Sequence, residues 1–480
     1  MKPPLPNPPP MSNAPRRIAV LDIGKTNVKL VVLDAAQGDE IWARRVPNAV
    51  RRDGPYPHAD VVAIEAFLLD ALADAAAAVG IDAVSITTHG ATGALIGPDG
   101  LVLPVLDYEH DGPDALADEY ARIRPAFAET FSPRLPGGLN LGAQLFWQAR
   151  RFPDAFGRAT AFLTYPQYWA WRLTGTAATE PTSLGCHTDL WAPEARGFST
   201  LVDRMGWRGV MAPVRSAFDV LGTLNPAFAG RAGLGPAVPV ACGLHDSNAS
   251  LLPYIRDEAG PQTIISTGTW IVALAVGAPL GRLDPARDML ANVDAYGRPV
   301  PSARFMGGRE FDRLTGGGAS DLDPAAVASV LARGVMALPC FARGSGPFPH
   351  AAGRWSHDPD ELTAPERHAA ASLYAALMTA TCLDLLGAAG AITVEGPFAG
   401  NALYLEALGH LARRTVRASS GRTGTSAGAA ALLATPRQEP PPLSMPAGGV
   451  GLLYADVETY AARWRAAAGA DGSRPGRRCG

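Results

Sequence analysis

The stretch IAVLDIGKTNVKLVVLD, residues 18–34, decides the fold that we predict for this chain. Two short runs of Val, Ile and Leu flank a polar segment that contains Asp22 and Gly24. β-Branched runs separated by a glycine-containing turn are typical of two strands joined as a hairpin. We therefore predict a strand, a turn and a second strand, with Asp22 at the edge of the turn.

The same design returns half a chain later, in QTIISTGTWIVALAV at residues 262–276. Between the two hairpins, residues 61–79 carry apolar side chains at helical spacing and residues 82–88 return to a short strand. Strands that alternate with helices indicate the α/β class.

A chain of 480 residues is too long for one compact core. Residues 224–239 are rich in Gly, Pro and Ala and favour a domain boundary. The sequence thus predicts four parts: a disordered leader at 1–15, an N-terminal domain at 16–236, a C-terminal domain at 237–466 and a flexible tail at 467–480.

The composition points to a small-molecule partner in the cytoplasm. The net charge is −3, so no polybasic surface indicates nucleic acid or an anionic membrane. The five cysteines are scattered without a C-x-x-C pair, which favours a reducing compartment. We expect no run to reach the roughly twenty apolar residues that span a bilayer.

The two hairpin turns are candidate phosphate-binding loops. Glycine lets successive backbone N–H groups converge on phosphate oxygens, and hydroxyls and a cation add donors. The predicted ligands are Gly24, Lys25, Thr26 and Asn27 in the first turn, and Thr267, Gly268 and Thr269 in the second. Asp22 is a candidate for holding Mg²⁺ through water, because magnesium prefers oxygen ligands and keeps part of its hydration shell.

A candidate general base follows an apolar strand in PVACGLHDSNAS, residues 239–250. Asp246 lies where a carboxylate could take a proton from a hydroxyl that attacks a phosphoryl group. The alternative is that Asp246 only caps a helix that begins near Ser247. His245 is better explained as a loop or core histidine.

The ordered motifs DIGKTNVK, GLHDSNAS, ISTGTW and EGPFAGN resemble the FGGY family of carbohydrate kinases, members of the actin-like ATPase superfamily. The resemblance covers residues 17 to about 434. It is greatest to the rhamnulokinase/fuculokinase-type branch, through ISTGTW, GLNLGAQLFW and the segment WRLTGTAATEPTSLGCHTDLW at residues 171–191.

This resemblance implies an α/β fold of two ribonuclease-H-like domains with mixed central sheets around a deep cleft. It implies that the first domain holds the sugar and the second holds ATP. Asp246 matches the catalytic aspartate, and Asp22 matches the acidic residue near Mg²⁺. The positions that match the adenosine motif are Gly396, Gly400 and Asn401.

The resemblance also places sugar-binding residues after the early strands. His89 and Glu109 lie at positions that bind sugar in relatives, and Asp107, Tyr108 and Asp246 extend that set. Carboxylates and imidazoles suit a polyol because they accept from or donate to adjacent hydroxyls. Taken alone, His89 would be a strand-end histidine and Glu109 a solvated loop charge.

Two departures from the family pattern and one further segment stand out. Pro397 and Phe398 replace glycines in the adenosine turn, which predicts a stiffer and bulkier wall. Lys25 replaces a small hydroxyl residue and would either bind phosphate or face solvent. The Gly307-Gly308-Arg309 segment would form part of the cleft or a plain surface turn.

We therefore expect an ATP-dependent kinase that phosphorylates a free ketose resembling rhamnulose, fuculose or xylulose, with ATP and Mg²⁺ as cofactors. The alternative is a catalytically silent sugar-binding regulatory protein that keeps the kinase fold. An actin-like ATPase with a protein client is a third reading. Sugar and ATP are the expected partners, without nucleic acid or membrane, and a homodimer is left open.

Overall fold

A computed structural model describes residues 15–255, 260–318, 323–419, 424–434, 443–444, 451–452 and 454–472. Contacts divide the chain into two compact units. The first comprises residues 1–258, 291–299 and 422–440, and the second comprises residues 259–290, 300–421 and 441–480.

The strands of the described residues are, in chain order, β1 (Arg17–Ile23), β2 (Asn27–Asp34), β3 (Asp39–Pro47), β4 (Val50–Arg51), β5 (His58–Ala59), β6 (Ala83–Thr88), β7 (Gly93–Gly97), β8 (Gly100–Leu101), β9 (Ala161–Thr164), β10 (Trp191–Ala192), β11 (Gly197–Phe198), β12 (Val220–Thr223), β13 (Pro239–Ala241), β14 (Leu244–His245), β15 (Gln262–Thr267), β16 (Ile271–Val276), β17 (Met289–Val293), β18 (Pro299–Phe305), β19 (Ala337–Leu338), β20 (Arg354–Trp355), β21 (Ile392–Glu395), β22 (Val416–Ser419) and β23 (Leu443–Ser444).

The α-helices of the same residues are α1 (Val61–Ala78), α2 (Ala117–Ile123), α3 (Phe127–Thr130), α4 (Leu141–Arg151), α5 (Pro153–Phe156), α6 (Tyr165–Thr174), α7 (Pro181–Leu184), α8 (Thr200–Arg204), α9 (Pro226–Arg231), α10 (Asp246–Ile255), α11 (Gly307–Thr315), α12 (Pro324–Arg333), α13 (Ala364–Leu386), α14 (Ala402–Ala412), α15 (Thr425–Ala430) and α16 (Tyr454–Gly472).

The first unit is built on a mixed sheet in the order β12-β13-β6-β1-β2-β3, with β14 also paired to β6. β1 and β2 form the predicted antiparallel hairpin, and β6 lies parallel to β1. The residues of β1 and β6 are almost all buried, which agrees with their continuous apolar runs. The ends of β1 and β6 therefore carry polar residues to one edge of the sheet.

The sheet of the second unit repeats this design in the order β18-β16-β15-β21-β22-β23. β15 and β16 form the second antiparallel hairpin, and β21 lies parallel to β15. The mixed α/β fold predicted for both halves is confirmed.

The longest helix of the second unit, α13, begins with the predicted capping box. The Thr363 hydroxyl accepts from the backbone N–H of Glu366, and the Glu366 carboxylate accepts from the backbone N–H of Thr363. By length and composition, α13 is the one helix of the described residues that could cross a membrane, a longer apolar segment than we expected. Its apolar window is 83% buried within the protein, as in the core helix of a globular domain.

Two predicted limits differ from the structure. The boundary placed between residues 236 and 237 falls inside the first unit, because β13 pairs with both β12 and β6. The tail placed at 467–480 is helical as far as Gly472, because α16 buries Trp464 and Ala468 in the core of the second unit. Almost all of the predicted leader, residues 1–14, lies outside the described residues.

Candidate active site

The first hairpin turn, between β1 and β2, is tight and exposed at its tip. The backbone N–H of Gly24 donates to the carbonyl of Asn27 at 2.9 Å, and the Asn48 amide donates to the carbonyl of Gly24 at 2.8 Å. Thr26 and Asn27 are exposed to solvent. The φ angle of Gly24 is not positive, so this position does not require glycine for a left-handed backbone conformation.

Asp22 is buried at the end of β1, beside a cation and a hydroxyl. The Nζ of Lys29 lies 3.1 Å from Asp22 Oδ2, and the Ser426 hydroxyl donates to the same oxygen at 3.1 Å. Burial raises the pKa of Asp22, and Lys29 and Ser426 oppose that rise. The charge of Asp246 also raises this pKa, so the two carboxyl groups lie within electrostatic reach.

The groups around Asp22 indicate how the predicted Mg²⁺ could be held. Within the described residues no group of three or more His, Cys, Asp or Glu side chains could hold a metal ion. One buried carboxylate with a second one near it fits an ion held through water and phosphate oxygens rather than by several side chains. Asp22 therefore fits the water-mediated role predicted for it.

Lys25 pairs with carboxylates, a contact that the sequence did not indicate. Its ammonium pairs closely with Asp107 and lies 3.3 Å from Glu109 Oε2. It also lies 4.7 Å from the ring centre of Tyr108, a cation–π distance. The lysine of the first turn thus contacts the three residues that follow the isolated β-bridge at Leu106, where the sequence predicts the sugar site.

His89 directly follows β6, and its ring lies beside Tyr108. Its ring centre is 5.3 Å from those of both Tyr108 and Tyr165. Nδ1 lies 3.1 Å from the carbonyl of Gly90, so Nε2 is the nitrogen available to a ligand. Burial lowers the pKa of His89, and the charge of Asp246 acts in the opposite direction. His89 is therefore a neutral imidazole within the field of Asp246.

Asp246 opens α10 directly after the two-residue strand β14. Its Oδ1 accepts from the backbone N–H of Ser247 at 2.6 Å and lies 3.2 Å from His245 Nε2. The side chain is 31% exposed, so a substrate can reach it. Because these contacts engage Oδ1, Oδ2 is the oxygen available to a substrate hydroxyl.

The predicted sugar residues differ in exposure. The side chain of Asp107 is only 6% exposed, whereas that of Glu109 is 66% exposed. Asp107 therefore lies in the buried wall of the predicted sugar site, and Glu109 lies at its exposed rim. We call Lys25, His89, Asp107, Tyr108 and Asp246 the polar cluster of the first unit.

In the second unit, the Thr267 hydroxyl forms two hydrogen bonds to the backbone. It donates to the carbonyl of Glu395 and accepts from the backbone N–H of Phe398 at 3.1 Å. Gly396 adopts φ 81° and ψ −164°, a backbone region that is essentially restricted to glycine. A Cβ on Gly396 would lie 2.0 Å from the carbonyl oxygen of Thr267. Thr267 and Gly396 thus join β15 to the adenosine turn.

A pocket of about 950 Å³ opens between this turn, the second hairpin and α11. Its volume lies in the range of small-molecule sites. The lining residues are Gly268, Thr269, Gly308, Arg309, Phe311, Asp312, His368, Pro397, Phe398, Gly400, Asn401 and Ala402.

The residues Gly307, Gly308 and Arg309 begin α11 instead of forming a surface turn. A Cβ on Gly308 would lie 2.0 Å from the carbonyl oxygen of Gly268, so glycine lets the start of the helix approach the hairpin turn. Arg309 is exposed and lines the pocket. This segment therefore belongs to the candidate nucleotide site.

One wall of the pocket is aromatic. The ring centre of Phe311 lies 5.1 Å from that of Phe398 and 5.2 Å from that of His368. Asn401 caps α14, because its Oδ1 accepts from the backbone N–H of Tyr404 and its Nδ2 donates to Ser372. The Asn401 side chain is thus engaged in the fold.

Sequence reasoning missed Lys29, Ser426 and His368. Lys29 could have been found, because the hairpin register places it opposite Asp22. The others come from distant parts of the sequence and carry no local signal.

Comparisons with known proteins show the family to which the chain belongs. Residues 138–253 match the description "FGGY family of carbohydrate kinases, N-terminal domain", and residues 259–441 match "Carbohydrate kinase FGGY, C-terminal domain". A crystal structure of a carbohydrate kinase from Novosphingobium aromaticivorans is 39% identical, with a TM-score of 0.87 over 95% of this chain and 99% of that one. The chain belongs to the FGGY family of carbohydrate kinases.

Two further relatives are more distant. An autoinducer-2 kinase of Enterobacter sp. (strain 638) is 28% identical over 152 residues, which is 31% of this chain and 28% of that relative. A ligand-bound xylulose kinase from Lactobacillus acidophilus has a TM-score of 0.76 over 95% of this chain and 98% of its own, at 14% identity, and this shows the fold alone. The resemblance to the rhamnulokinase/fuculokinase-type branch stays a prediction.

Proposed function

We propose that this protein transfers the γ-phosphoryl group of ATP to a hydroxyl of a free ketose, with Asp246 as general base. The observation that carries the proposal is the polar cluster. Asp246 lies within electrostatic reach of Asp22, His89 and Tyr108, and Tyr108 and Asp107 both contact Lys25. Hydroxyl-binding groups and a base are thus held together in one unit.

The charges of this cluster favour a neutral sugar over a sugar acid. Asp107 and Asp246 of the cluster and Glu109 at its rim bring three carboxyl groups, and Lys25 is bound to two of them. His89 is held neutral by burial. A substrate carboxylate would meet net negative charge, whereas sugar hydroxyls could donate to the carboxylates and accept from Lys25 and Tyr108.

In the proposed reaction, Asp246 Oδ2 takes the proton from the attacking hydroxyl. The sugar oxygen forms a bond to the γ-phosphorus while the bond from that phosphorus to the β-phosphate oxygen breaks, and ADP leaves. His245 Nε2 and the backbone N–H of Ser247 orient the base through Oδ1. Phosphoryl transfer depends mainly on positioning and on neutralising charge.

The 950 Å³ pocket of the second unit is the proposed nucleotide site. Phe398 and Phe311 would bound the base, and Arg309 offers a guanidinium to phosphate oxygens. The backbone N–H groups of Gly268 and Thr269, rather than the Thr267 hydroxyl, are the proposed phosphate donors of the hairpin. Mg²⁺ carried with the phosphates would neutralise charge near Asp22.

The alternative is a catalytically silent sugar-binding protein. The aromatic wall of the pocket, formed by Phe311 and Phe398, favours it because this wall departs from the glycines of the family pattern. A coupled ADP-release assay over rhamnulose, fuculose, xylulose and ribulose, with gluconate as the anionic control, separates the two. We expect sugar-dependent ADP release with at least one neutral ketose and little with gluconate. Thermal stabilisation by a ketose without ADP release would support the silent protein, and a preference for gluconate would contradict the charge argument.

A further inference from the structure

Glu180 is a buried carboxyl group in the first unit that the proposed reaction does not use. It precedes α7 and is fully buried. Oε1 accepts from the backbone N–H of Thr182 at 2.9 Å, and Oε2 accepts from the Thr182 hydroxyl at 2.5 Å. Capping one turn of helix does not require a buried carboxyl group, because exposed Ser, Asp or Asn residues do this well.

The Thr182 hydroxyl also reaches the segment that carries the base. It accepts from the backbone N–H of His245 at 2.9 Å. His245 is the residue directly before Asp246. A continuous line of hydrogen bonds therefore runs from Glu180 through Thr182 to the backbone at the catalytic position.

The same segment is held at its other end. The Gln167 amide donates to the carbonyls of Cys242 and Gly243 at 2.9 and 3.0 Å. Gly243 has φ 83°, and a Cβ there would lie 2.6 Å from the carbonyl oxygen of Ile86. Residues 242–245 are thus fixed by buried polar side chains as well as by pairing with β6.

The His245 side chain connects this fixed segment to the Asp246 carboxylate. The Asn248 amide lies 3.2 Å from His245 Nδ1, and His245 Nε2 lies 3.2 Å from Asp246 Oδ1. Burial lowers the pKa of His245, so the ring is neutral. With Nδ1 accepting from Asn248, the ring proton lies on Nε2 and is donated to Asp246.

We propose that Glu180 and Thr182 are positioning residues that fix the backbone at His245 and thereby the direction of the Asp246 carboxylate. This inference rests on the proposed function, in which Asp246 is the base. Reacting groups must be held close to the productive geometry, and a misplacement of about 1 Å can lower the rate by about 100-fold. A buried network that orients the segment suits that requirement.

The chain offers closely matched variants. Thr182→Val keeps the shape and removes the hydroxyl, Thr182→Ser restores the hydroxyl, and Ser183→Ala removes a neighbouring buried hydroxyl that has no hydrogen-bond partner within the described residues. We expect Thr182→Val to lower kcat by about 10- to 100-fold with little change in the KM for ATP. Thr182→Ser and Ser183→Ala should stay near the wild-type kcat.

Two readouts separate positioning from a general structural role. In an Asp246→Asn background, the further loss from Thr182→Val should nearly vanish, because residues that act as a unit are not additive. By mass spectrometry, the amide hydrogens of residues 244–248 should exchange faster in Thr182→Val than in Ser183→Ala. If Thr182→Val does not fold, Glu180→Gln, which keeps the volume and loses one acceptor oxygen, takes its place.

Equal kcat in Thr182→Val and Thr182→Ser would overturn the inference, as would an undiminished loss in the Asp246→Asn background. A wild-type protein that releases no ADP with any sugar would instead contradict the proposed function. In that case amide exchange still decides the inference: faster exchange at 244–248 supports the positioning role, and unchanged exchange overturns it.

Discussion

The ammonium of Lys29 lies 3.1 Å from Oδ2 of Asp22, its cross-strand partner in the first hairpin. Burial raises the pKa of Asp22, and the positive charge of Lys29 lowers it. Removing that charge in Lys29→Met should therefore raise the pKa of Asp22 further. Because the proposed reaction uses ionised Asp22, the acid limb of the kcat/KM profile should move to higher pH, by about one unit or less.

Lys29→Arg is the matched control, because it keeps the charge and should leave the acid limb in place. The side chain of Lys29 is 40% exposed, so solvent screens the pair and limits the shift. A pH profile that is identical in Lys29→Met and the wild type would show that Asp22 does not control this limb.

The sequence leaves Lys25 either on phosphate or in solvent, whereas in the structure its ammonium pairs with Asp107 and Glu109. We expect Lys25→Met to raise the KM for the sugar by about 10- to 100-fold, since buried Asp107 loses its cation. The KM for ATP should change by less than about threefold. Steady-state kinetics with each substrate varied in turn measures both values.

Lys25→Arg is the control for charge, and we expect it to restore much of the sugar affinity. A rise in the KM for ATP with an unchanged KM for the sugar would instead indicate that Lys25 binds phosphate.

Gly396 tests the candidate nucleotide site. Its backbone lies in a region that is essentially restricted to glycine, and a Cβ would meet the carbonyl oxygen of Thr267 at 2.0 Å. Gly396→Ala should destabilise the second unit by about 1–3 kcal/mol. It should also weaken ATP binding by about tenfold or more, because the turn that bounds the pocket must shift.

The control for Gly396→Ala is Gly281→Ala, where a Cβ would meet no atom within 4 Å and φ is not positive. Calorimetric titration with ATP and thermal unfolding should leave this control like the wild type. Wild-type ATP affinity in a folded Gly396→Ala protein would contradict the placement of the nucleotide in this pocket.

Local patterns predicted the elements of this fold well. The hairpins, α1 and the capping box of α13 follow from alternation, helical spacing and the Thr363–Glu366 pair, all of which act over a few residues. The domain boundary failed because glycine and proline in residues 224–239 also suit the connection between β12 and β13 of one sheet.

The sequence indicated where the candidate site residues lie along the chain, but not which side chains they contact. The motifs named Asp22, Asp246 and the two turns, yet the role of Lys25 depends on its pairing with Asp107, 82 residues away. The Thr267 hydroxyl looked available and is used by a turn 128 residues further along the chain. Such long-range pairings leave no pattern in a single sequence.

The central claim is that Asp246 takes the proton from the sugar hydroxyl, and Asp246→Asn tests it most directly. The asparagine keeps the shape of the side chain and removes the base, so sugar-dependent ADP release should fall by about 10²- to 10⁴-fold. ATP affinity, measured by calorimetric titration, should stay within about threefold of the wild type. Near-normal sugar-dependent ADP release from a folded Asp246→Asn protein would contradict the account.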